Sequence, residues 1–478
     1  MTHKVLHKAL RFDLYCFFMP VFRGLACIKT QRLQVIGMLL LTGLHSVSSA
    51  QTLSPEAGQT SSAILVITLD EAIRRAQSNE PAFAVAVANS KVAAIDRSIA
   101  RSAFLPSVTY HNQVLYTQPN GQSNQAGQLG SQAAPIFISN NAVHEYTSQA
   151  VVSQILGVQQ VAALRTATAA SVRAEAEAEI SRRGLIATVV ALYYGVEDTE
   201  RKVTLLEEGL REATDFTELT MKRETGREVA HADVVKARLQ QQQRQRDFAD
   251  ARLLADKARL ELGVLLFPDP RTQFATEPIT APRPLPDRKE IEAAAANNNP
   301  ELKSALASLR ESDAAILSAR AAYLPDLALS FNYGIDAPQF AKRGPDNVPN
   351  LGYSMSATVD IPVWDWLSTQ KRIKQSHIQR DAVKVALSNT QRRLIATLNE
   401  AYAEAEAARA QIDLLEQSSR TASESLQLTK LRYSSGEGTV LEVVDAQNAF
   451  VAAQIAEADG NMRYQNAMAT LQTLTGIR

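Results

Sequence analysis

Cysteine is almost absent from this chain of 478 residues, which contains only Cys16 and Cys27. A disulfide framework or a cysteine-ligated metal site needs several cysteines at regular spacing, so the sequence predicts neither. The 7 histidines are scattered and form no His-Glu-x-x-His motif, the spacing of a zinc-dependent protease. The chain also contains no Gly-x-Ser-x-Gly motif, the turn that carries the nucleophile of many hydrolases. We therefore expect no cofactor, no metal site and no enzyme activity.

An excess of charge of one sign and long apolar runs are also lacking. The chain has 50 basic and 50 acidic residues, which gives no long-range attraction to nucleic acid. The apolar run Val35–Leu44 is shorter than the ~20 residues of a membrane-spanning helix. Because the small residues Ser48 and Ala50 follow it, residues 1–50 are predicted to be a signal peptide with an atypical N-terminal extension. The alternative is an uncleaved signal anchor.

Proline is missing from two long stretches, Val158–Glu224 and Leu367–Tyr433. Both are rich in residues that favour helix, and a helix of ~65 residues would be ~100 Å long. Each stretch is followed by a short turn and a return helix, and these return helices are predicted to end near Gly263 and Gly476. Apolar and small residues at steps of three and four predict a thin coiled-coil seam along each long helix.

The chain also contains the same pattern twice. Asn79-Glu80-Pro81 recurs 219 residues later as Asn298-Asn299-Pro300, and Leu205-Leu206-Glu207 recurs 209 residues later as Leu414-Leu415-Glu416. A fold built from two copies of one unit is therefore predicted. The predicted boundaries are a first repeat over residues 51–265, a Pro-rich linker over 266–287 and a second repeat over 288–478.

Each repeat is predicted to contain a helix, two strands and a long helical hairpin. The strands are indicated by apolar and polar residues that alternate with a period of two. The predicted strands cover residues 108–116, 145–155, 327–333 and 353–361. Before the first strand, Thr68 as N-cap and Glu71 three residues later predict the start of a helix that runs to about Arg101.

Four strands are too few to close a barrel, because ~8 strands are the working minimum. An open sheet edge is not tolerated in lipid, where an unpaired backbone group has no hydrogen-bond partner. If these strands cross a membrane, several chains must pool them: a dimer would supply ~8 strands and a trimer ~12. The alternative is an ordinary soluble sheet packed on helices.

Three motifs are specific enough to indicate a family. Tyr433–Ala446 reads Tyr-Ser-Ser-Gly-Glu-Gly-Thr-Val-Leu-Glu-Val-Val-Asp-Ala, Gly226–Ala237 is its counterpart, and Ile361-Pro362-Val363-Trp364-Asp365 precedes the second long helix. With these motifs the chain resembles the TolC-like outer-membrane efflux proteins, the outer membrane factor family, over residues 66–478. The first strand exit, Ser153–Gly157, lacks the proline and the aromatic residue of the family pattern.

The resemblance implies an α+β membrane protein in the cell outer membrane. In a homotrimer, four membrane strands per chain would complete a β-barrel of about 12 strands, continued by a long periplasmic α-helical coiled-coil barrel. The implied function is the exit duct of a tripartite efflux system, which passively exports small molecules from periplasm or cytoplasm. Its implied partners are a periplasmic adaptor, an inner-membrane transporter and outer-membrane lipid. A type I protein secretion duct is the alternative, and a periplasmic coiled-coil scaffold without a pore is the alternative of another class.

The same resemblance assigns residues to the periplasmic mouth. Glu442 and Asp445 are three residues apart on one helix face, and stacked rings of these carboxylates would select cations. Tyr433 and Asp233 match positions at which a hydroxyl–carboxylate hydrogen bond ties the closed mouth. The alternatives are that the two acidic residues are solvated helix charges and that Tyr433 is a seam residue.

Gly438 stands where some family members carry an arginine that helps to hold the mouth shut. Arg432 and Arg223 are the nearby candidates for such a second link. The tip turns that contain Gly226 and Gly436 are the predicted docking edge for the adaptor.

Overall fold

The structure, a computed structural model, describes residues 65–116, 144–277, 284–337, 339–344 and 347–476, so the predicted signal peptide lies outside the described residues. The N-terminal half contains β1 (Leu65–Ile67), α1 (Leu69–Asn79), α2 (Pro81–Ser102), β2 (Ser107–Tyr116), β3 (His144–Leu156), α3 (Val158–Thr225), α4 (His231–Leu266) and β4 (Phe274–Thr276). The C-terminal half contains α5 (Arg288–Asn298), α6 (Pro300–Ala321), β5 (Asp326–Ala337), β6 (Leu351–Asp360), α7 (Ser368–Ser434) and α8 (Val440–Thr475). None of the helices in these ranges combines the length and the apolar character that crossing a membrane requires.

The elements of the two halves correspond in order and in length. The long helices α3 and α7 contain 68 and 67 residues, and the return helices α4 and α8 contain 36 residues each. Helices α2 and α6, which precede the strands, contain 22 residues each. The duplicated unit predicted from the sequence is therefore confirmed.

Four antiparallel strands form one sheet in the order β2-β3-β5-β6, so the two halves meet between β3 and β5. Gly334 of β5 lies opposite Gln149 of β3. A β-carbon on Gly334 would stand 2.6 Å from Gln149 Cα and closer still to the Ser148 carbonyl oxygen, so only glycine allows this approach. The outer strands β2 and β6 expose their side chains from Ser107 to Val114 and from Leu351 to Asp360.

The single helix predicted before the first strand is in fact two helices, α1 and α2. Its start is confirmed, because the Thr68 hydroxyl accepts a hydrogen bond from the Glu71 N–H at 3.2 Å. The predicted continuity is wrong, because Pro81 starts a new helix after Glu80, whose backbone is extended. Proline lacks an N–H and disfavours helical backbone in the residue before it, so the break follows from local sequence.

The sequence does not predict the parallel pair of strands β1 and β4. Each strand has 3 residues, too few to show an alternating pattern. Ile67 of β1 belongs to a buried cluster with Val189, Tyr193 and Leu262. The Tyr193 hydroxyl donates to the Ile67 carbonyl at 2.9 Å, and burial raises the pKa of Tyr193 to about 12. Part of the predicted Pro-rich linker is thus a strand that packs against α3.

Arg183 joins the first long helix to the end of the last helix. Its guanidinium donates to the Thr473 carbonyl at 3.1 Å and to Glu179 Oε1 at 2.7 Å. Hydrogen bonds from Arg182 and Arg183 hold the pKa of Glu179 at about 2, although desolvation opposes them. The Glu179 carboxylate is therefore ionised at neutral pH and binds both arginines, of which Arg183 also bonds to α8.

The two return helices end differently. Helix α8 ends as predicted before Gly476, whose φ of 74° is the left-handed conformation of a helix C-cap. Helix α4 continues past Gly263 to Leu266, so the end predicted there is too early. A β-carbon on Gly263 would lie 2.5 Å from the Pro270 carbonyl oxygen, which explains why glycine is needed inside this helix.

Two helix glycines predict opposite effects of the same substitution. A β-carbon on exposed Gly184 of α3 meets no atom within 4 Å, so Gly184→Ala should stabilise the protein by about 0.5–1 kcal/mol through helix propensity. A β-carbon on buried Gly263 of α4 would lie 2.5 Å from the Pro270 carbonyl oxygen, a backbone atom, so Gly263→Ala should destabilise the protein by about 1–3 kcal/mol. Thermal unfolding followed by circular dichroism checks both signs. A lower midpoint for Gly184→Ala would contradict its exposed environment.

Candidate functional site

The predicted site residues lie at or beside the tips of the two helical hairpins. Each hairpin turns within a short loop, residues 226–230 between α3 and α4 and residues 435–439 between α7 and α8. Local sequence shapes the second loop. Gly436 has a φ of 80°, which favours glycine, and the Thr439 side chain caps α8 by accepting a hydrogen bond from the Glu442 N–H at 3.2 Å.

Tyr433, in the last turn of α7, is buried and only 3 % exposed. The centre of its ring lies 5.1 Å from that of Phe216 on α3. The Tyr433 hydroxyl stands 3.4 Å from Thr220 Oγ1, also on α3. We call the buried cluster around this tyrosine the tip core, which consists of Phe216, Ala237, Tyr433, Val440, Val443 and Val444. Both hairpins contribute to the tip core, which therefore packs one tip against the other.

The hydrogen bond predicted between Tyr433 and Asp233 is not formed within the chain. Asp233 lies in the first turn of α4, where its carboxylate accepts a hydrogen bond from the Ala230 N–H at 3.4 Å. An acidic side chain at this position satisfies a free N–H group at the start of its own helix. The Tyr433 hydroxyl faces Thr220 inside the tip core instead. The assignment of both residues to a mouth remains a prediction.

Arg223, near the end of α3, makes a polar contact with the end of α7 in the other hairpin. Its guanidinium lies 4.5 Å from the centre of the Tyr433 ring. Nη1 donates to the Tyr433 carbonyl at 2.7 Å, and Nη2 donates to the Ser434 carbonyl at 2.8 Å. The Glu228 carboxylate stands 3.7 Å from Nε, and 18 % of the arginine side chain is exposed. Sequence analysis identified Arg223 only as a candidate near the tip. Its contact with Tyr433 could not be predicted, because no local sequence pattern connects residues that are 210 positions apart.

The two predicted mouth carboxylates differ in their surroundings. Glu442 Oε2 lies 3.6 Å from Arg432 Nη1, and the two side chains are 43 % and 57 % exposed. Asp445, one turn further along α8, is exposed and has no ion-pair partner in the described part of the chain. An exposed ion pair stabilises little, but the arginine offsets part of the Glu442 charge. Asp445 therefore presents the fuller negative charge on this helix face.

Gly438 is required by the close packing of its loop. A β-carbon there would lie 2.9 Å from the Tyr433 nitrogen and 3.1 Å from its Cα, both backbone atoms that cannot rotate away. The Glu437 and Gly438 N–H groups donate to the Arg432 carbonyl at 2.9 and 3.1 Å. This geometry leaves no room for an arginine at 438. Gly226, by contrast, has ordinary contact distances around a β-carbon, so its loop does not require glycine.

The first tip also places a histidine beside an acidic side chain. His231 Nδ1 lies 2.7 Å from Glu224 Oε1, and both residues belong to the same hairpin. Across the described ranges, no group of three or more His, Cys, Asp and Glu side chains could hold a metal ion.

The close packing at Gly438 predicts a localised defect. Gly438→Ala should push the 435–439 loop away from Tyr433 and loosen the tip core, at a cost of about 1–3 kcal/mol. Gly436→Asn is the matched control, because asparagine tolerates left-handed backbone and the position faces open space. Limited proteolysis should cleave the Gly438→Ala tip faster than the wild type and leave Gly436→Asn unchanged. Equal cleavage of all three proteins would rule out the proposed packing.

Comparison with known sequences agrees with this fold. Residues 293–477 match the sequence model of the family described as outer membrane efflux protein. Outer membrane protein OprJ of Pseudomonas aeruginosa is 26 % identical over 172 residues, which are 36 % of this chain and 36 % of OprJ. The chain thus matches about a third of the length of this curated relative.

Solved structures match over most of the chain. The CmeC outer membrane channel of Campylobacter jejuni has a TM-score of 0.72 at 16 % identity, and the match covers 85 % of each chain. The outer membrane protein VceC of Vibrio cholerae has a TM-score of 0.71 at 15 % identity, covering 85 % of this chain and 96 % of VceC. At these identities the likeness shows the fold.

The chain has the fold of an outer-membrane channel protein, in which a duplicated α+β unit continues a four-stranded sheet into long helical hairpins. Residues 293–477 carry the sequence signature of the outer membrane efflux proteins. The resemblance to the TolC-like family and the predicted fold class are therefore confirmed. The predicted localisation in the outer membrane is confirmed with them.

Proposed function

We propose that three copies of this chain form a passive exit duct in the outer membrane, and that the protein is not an enzyme. The duct exports small molecules from periplasm or cytoplasm to the exterior as part of a tripartite efflux system. The observation that supports this proposal most directly concerns the two sides of one chain. Among the described residues, the outer strands β2 and β6 each have one unpaired edge, and the helices next to them expose apolar side chains.

Each open edge runs from the sheet into the helices. Helix α2, which precedes the outer strand β2, exposes an apolar stripe made of Val85, Val92, Ile95 and Ile99. Helix α7, which follows the outer strand β6, exposes Ile378 and Val385. Exposed apolar surface beside an unpaired strand favours an interface. When copies pack head to tail, β2 of one copy pairs with β6 of the next. The same contact covers the exposed apolar side chains of α2 and of α7.

The number of copies follows from the strand count. One chain supplies 4 strands to the sheet. Two chains give about 8 strands, and side chains fill the interior of a barrel of that size. Three chains give about 12 strands, which leave room for a channel and no unpaired edge in lipid. Three copies are therefore the smallest ring that conducts.

Membrane fractionation followed by gel electrophoresis distinguishes the proposed trimeric duct from the alternative, a periplasmic coiled-coil scaffold without a pore. The protein should sediment with the outer membrane and migrate as a trimer that boiling dissociates. Ile99→Glu places a charge in the α2 stripe and should reduce the trimer, whereas Arg97→Glu, exposed on the same helix outside the stripe, should not. A soluble periplasmic monomer would favour the scaffold and overturn the duct.

The acidic residues of the second tip supply ion selectivity in this proposal. A ring of three chains brings three Asp445 carboxylates and three Glu442–Arg432 pairs around one axis. Rings of carboxylates attract cations through their summed field. Because Arg432 lies 3.6 Å from Glu442 and offsets its charge, Asp445 contributes most to the cation preference.

Reversal potentials measured in planar bilayers test whether Asp445 contributes more to the cation preference than Glu442. Asp445→Asn should lower the cation preference more than Glu442→Gln, and Arg432→Gln should raise it by freeing the Glu442 charge. Glu261→Gln is the control, since this exposed carboxylate lies ~45 Å along α4 from the tip. Unchanged selectivity in all three tip variants would remove both carboxylates from the mouth.

The tip loops that contain Gly226 and Gly436 are the proposed docking edge for a periplasmic adaptor, through which the duct meets an inner-membrane transporter. Two features support this assignment. Both loops are exposed, and helices α3 and α7 carry them far from the sheet. A partner that approaches from the periplasm therefore reaches these loops first.

A further inference from the structure

We infer that the junction between β6 and α7 is a binding surface for an anionic phospholipid of the outer membrane. The inference rests on the proposed duct, in which the sheet crosses the membrane, and it adds the class of lipid and the side chains that bind it. We call this region the junction surface, which consists of Val363, Trp364, Trp366, Lys371, Arg372 and Lys374.

The apolar part of the junction surface belongs to residues 361–367, which connect the end of β6 to the start of α7. Val363 is 88 % exposed and Trp366 is 81 % exposed. The ring centres of Trp364 and Trp366 lie 5.9 Å apart, with the ring planes at 70°. Tryptophan favours the boundary between hydrocarbon and headgroups, because its ring is apolar while its N–H still needs a partner. The exposed pair therefore has the chemistry of a side-chain group that enters a membrane surface.

The backbone holds this segment in one defined conformation. Trp366 and Leu367 have φ values of 55° and 62°, in the left-handed region that bulky residues seldom adopt. The Asp365 carboxylate accepts a hydrogen bond from the Thr369 N–H at 2.6 Å, and its carbonyl accepts one from the Ser368 N–H at 3.1 Å. The start of α7 thus fixes the segment although its largest apolar side chains stay exposed. Strained backbone that is retained in this way is typical of functional sites.

The segment continues the apolar face of the sheet. Met355 and Val359 of β6 are exposed on one face of the strand, and Ile361 follows on the same face because side chains alternate with a period of two. Asp360 belongs to the other, polar face, where it lies opposite Asp326 of β5. In the proposed duct the polar face lines the channel and the apolar face meets lipid. The two acidic residues are therefore on the side away from the lipid.

Three basic residues of α7 follow the aromatic pair. Lys371, Arg372 and Lys374 are all exposed. The first ion pair along α7 among the described residues joins Arg380 to Asp313 at 2.7 Å, so none of the three is neutralised by such a pair. Positive charge in the first turns of a helix opposes the helix dipole, so these side chains do not serve the stability of α7. An external anion would offset their charge.

The spacing of the two parts matches a lipid headgroup. The three basic residues lie ~5–9 Å along α7 from its first residue at 1.5 Å per residue. The headgroup layer on one side of a bilayer is ~5–8 Å thick. With the tryptophans at the hydrocarbon boundary, the basic side chains therefore reach the level of the phosphates. Anionic lipids are attracted to such basic clusters, whereas a zwitterionic lipid offers no net charge.

The first repeat lacks this combination. Only Gly157 separates β3 from α3, so there is no exposed aromatic segment between them. At the 209-residue offset of the long helices, Ala162 and Ala163 stand where α7 has its first two basic residues. Only the third basic residue has a counterpart, Arg165. Each chain therefore has one junction surface, and a trimer would carry three.

Tryptophan fluorescence reports on the junction surface directly, because Trp364 and Trp366 are the 2 tryptophans of the chain. The full-length trimer is reconstituted in phosphatidylcholine vesicles that contain a minor fraction of phosphatidylglycerol, with bromine on the acyl chains of one of the two lipids at a time. Bromine quenches tryptophan at contact distance, so quenching shows which lipid lies at the rings. Phosphatidylglycerol should be enriched there about fivefold over its share of the bilayer, as expected from attraction to the basic side chains.

Two variants separate the basic side chains from the general charge of the helix. The first removes the three basic residues of the junction surface by Lys371→Gln, Arg372→Gln and Lys374→Gln. It should be quenched by each lipid in proportion to the bulk composition. The control removes the same charge from exposed positions further along α7 by Lys384→Gln, Arg392→Gln and Arg393→Gln. It should keep the enrichment, because its nearest substitution lies ~15 Å beyond Lys374.

The outcomes distinguish a failure of the junction surface from a failure of the duct. Absence of quenching by both lipids, as when a neighbouring copy covers the rings, would overturn the inference. Quenching in proportion to bulk composition in the wild type, or an equal loss of enrichment in the control, would overturn it as well. The duct would stand in each of these cases if the same sample conducts as a trimer. Selective quenching by phosphatidylglycerol in a protein that forms no trimer would support the junction surface and refute the duct.

Discussion

Among the described residues, strands β2 and β6 each pair on one side only, which leaves a row of backbone N–H and C=O groups along each outer edge. Water can satisfy such groups, but hydrocarbon cannot. The rest of the architecture is consistent with this constraint. The helices that continue the two edges, α2 and α7, also expose apolar side chains there. One head-to-tail contact between copies would satisfy the backbone and cover the apolar surface together.

The duplication supplies a template for that contact. Within one chain the two halves meet through β3 and β5, and α3 packs against both α6 and α8. Repeating this junction between chains would continue the same wall. The tips of the hairpins, however, have diverged between the halves. Phe216 and Arg223 hold Tyr433, whereas their counterparts Ser425 and Arg432 make no matching cluster in the described residues. The contacts at the tips are therefore not repeated in the two halves.

Much of the fold could be predicted from the sequence, because long helices and half-exposed strands have strong periodic patterns. The proline-free stretches became α3 and α7, and the alternating stretches became the four strands of the main sheet. The break at Pro81 follows from local chemistry that the helical pattern obscured. Strands β1 and β4 were beyond prediction, since 3 residues carry no period and their pairing joins segments far apart in the chain.

The site was predictable only in outline. The motif around Tyr433 located the hairpin tips, and Gly436 and Thr439 shape their loop as local rules lead one to expect. The contact partners were not predictable, because Arg223 and Tyr433 lie 210 positions apart and meet only through packing. The hydrogen bond between Tyr433 and Asp233 was predicted only from the resemblance to the TolC-like family. In this chain Asp233 instead accepts the N–H of Ala230 at the start of its own helix.

A disulfide between the two sheet edges tests the central claim most directly. Repeating the β3–β5 register between copies pairs Gln113 of one chain with Thr358 of the next. Within one chain these residues lie on outer strands ~14 Å apart, too far for a disulfide. In a background without Cys16 and Cys27, Gln113→Cys with Thr358→Cys should therefore yield covalent trimers and nothing larger. Cysteine at Ala357 instead of Thr358 points to the opposite face and should not crosslink. Free thiols on a monomeric chain in the Gln113→Cys, Thr358→Cys protein would contradict the account.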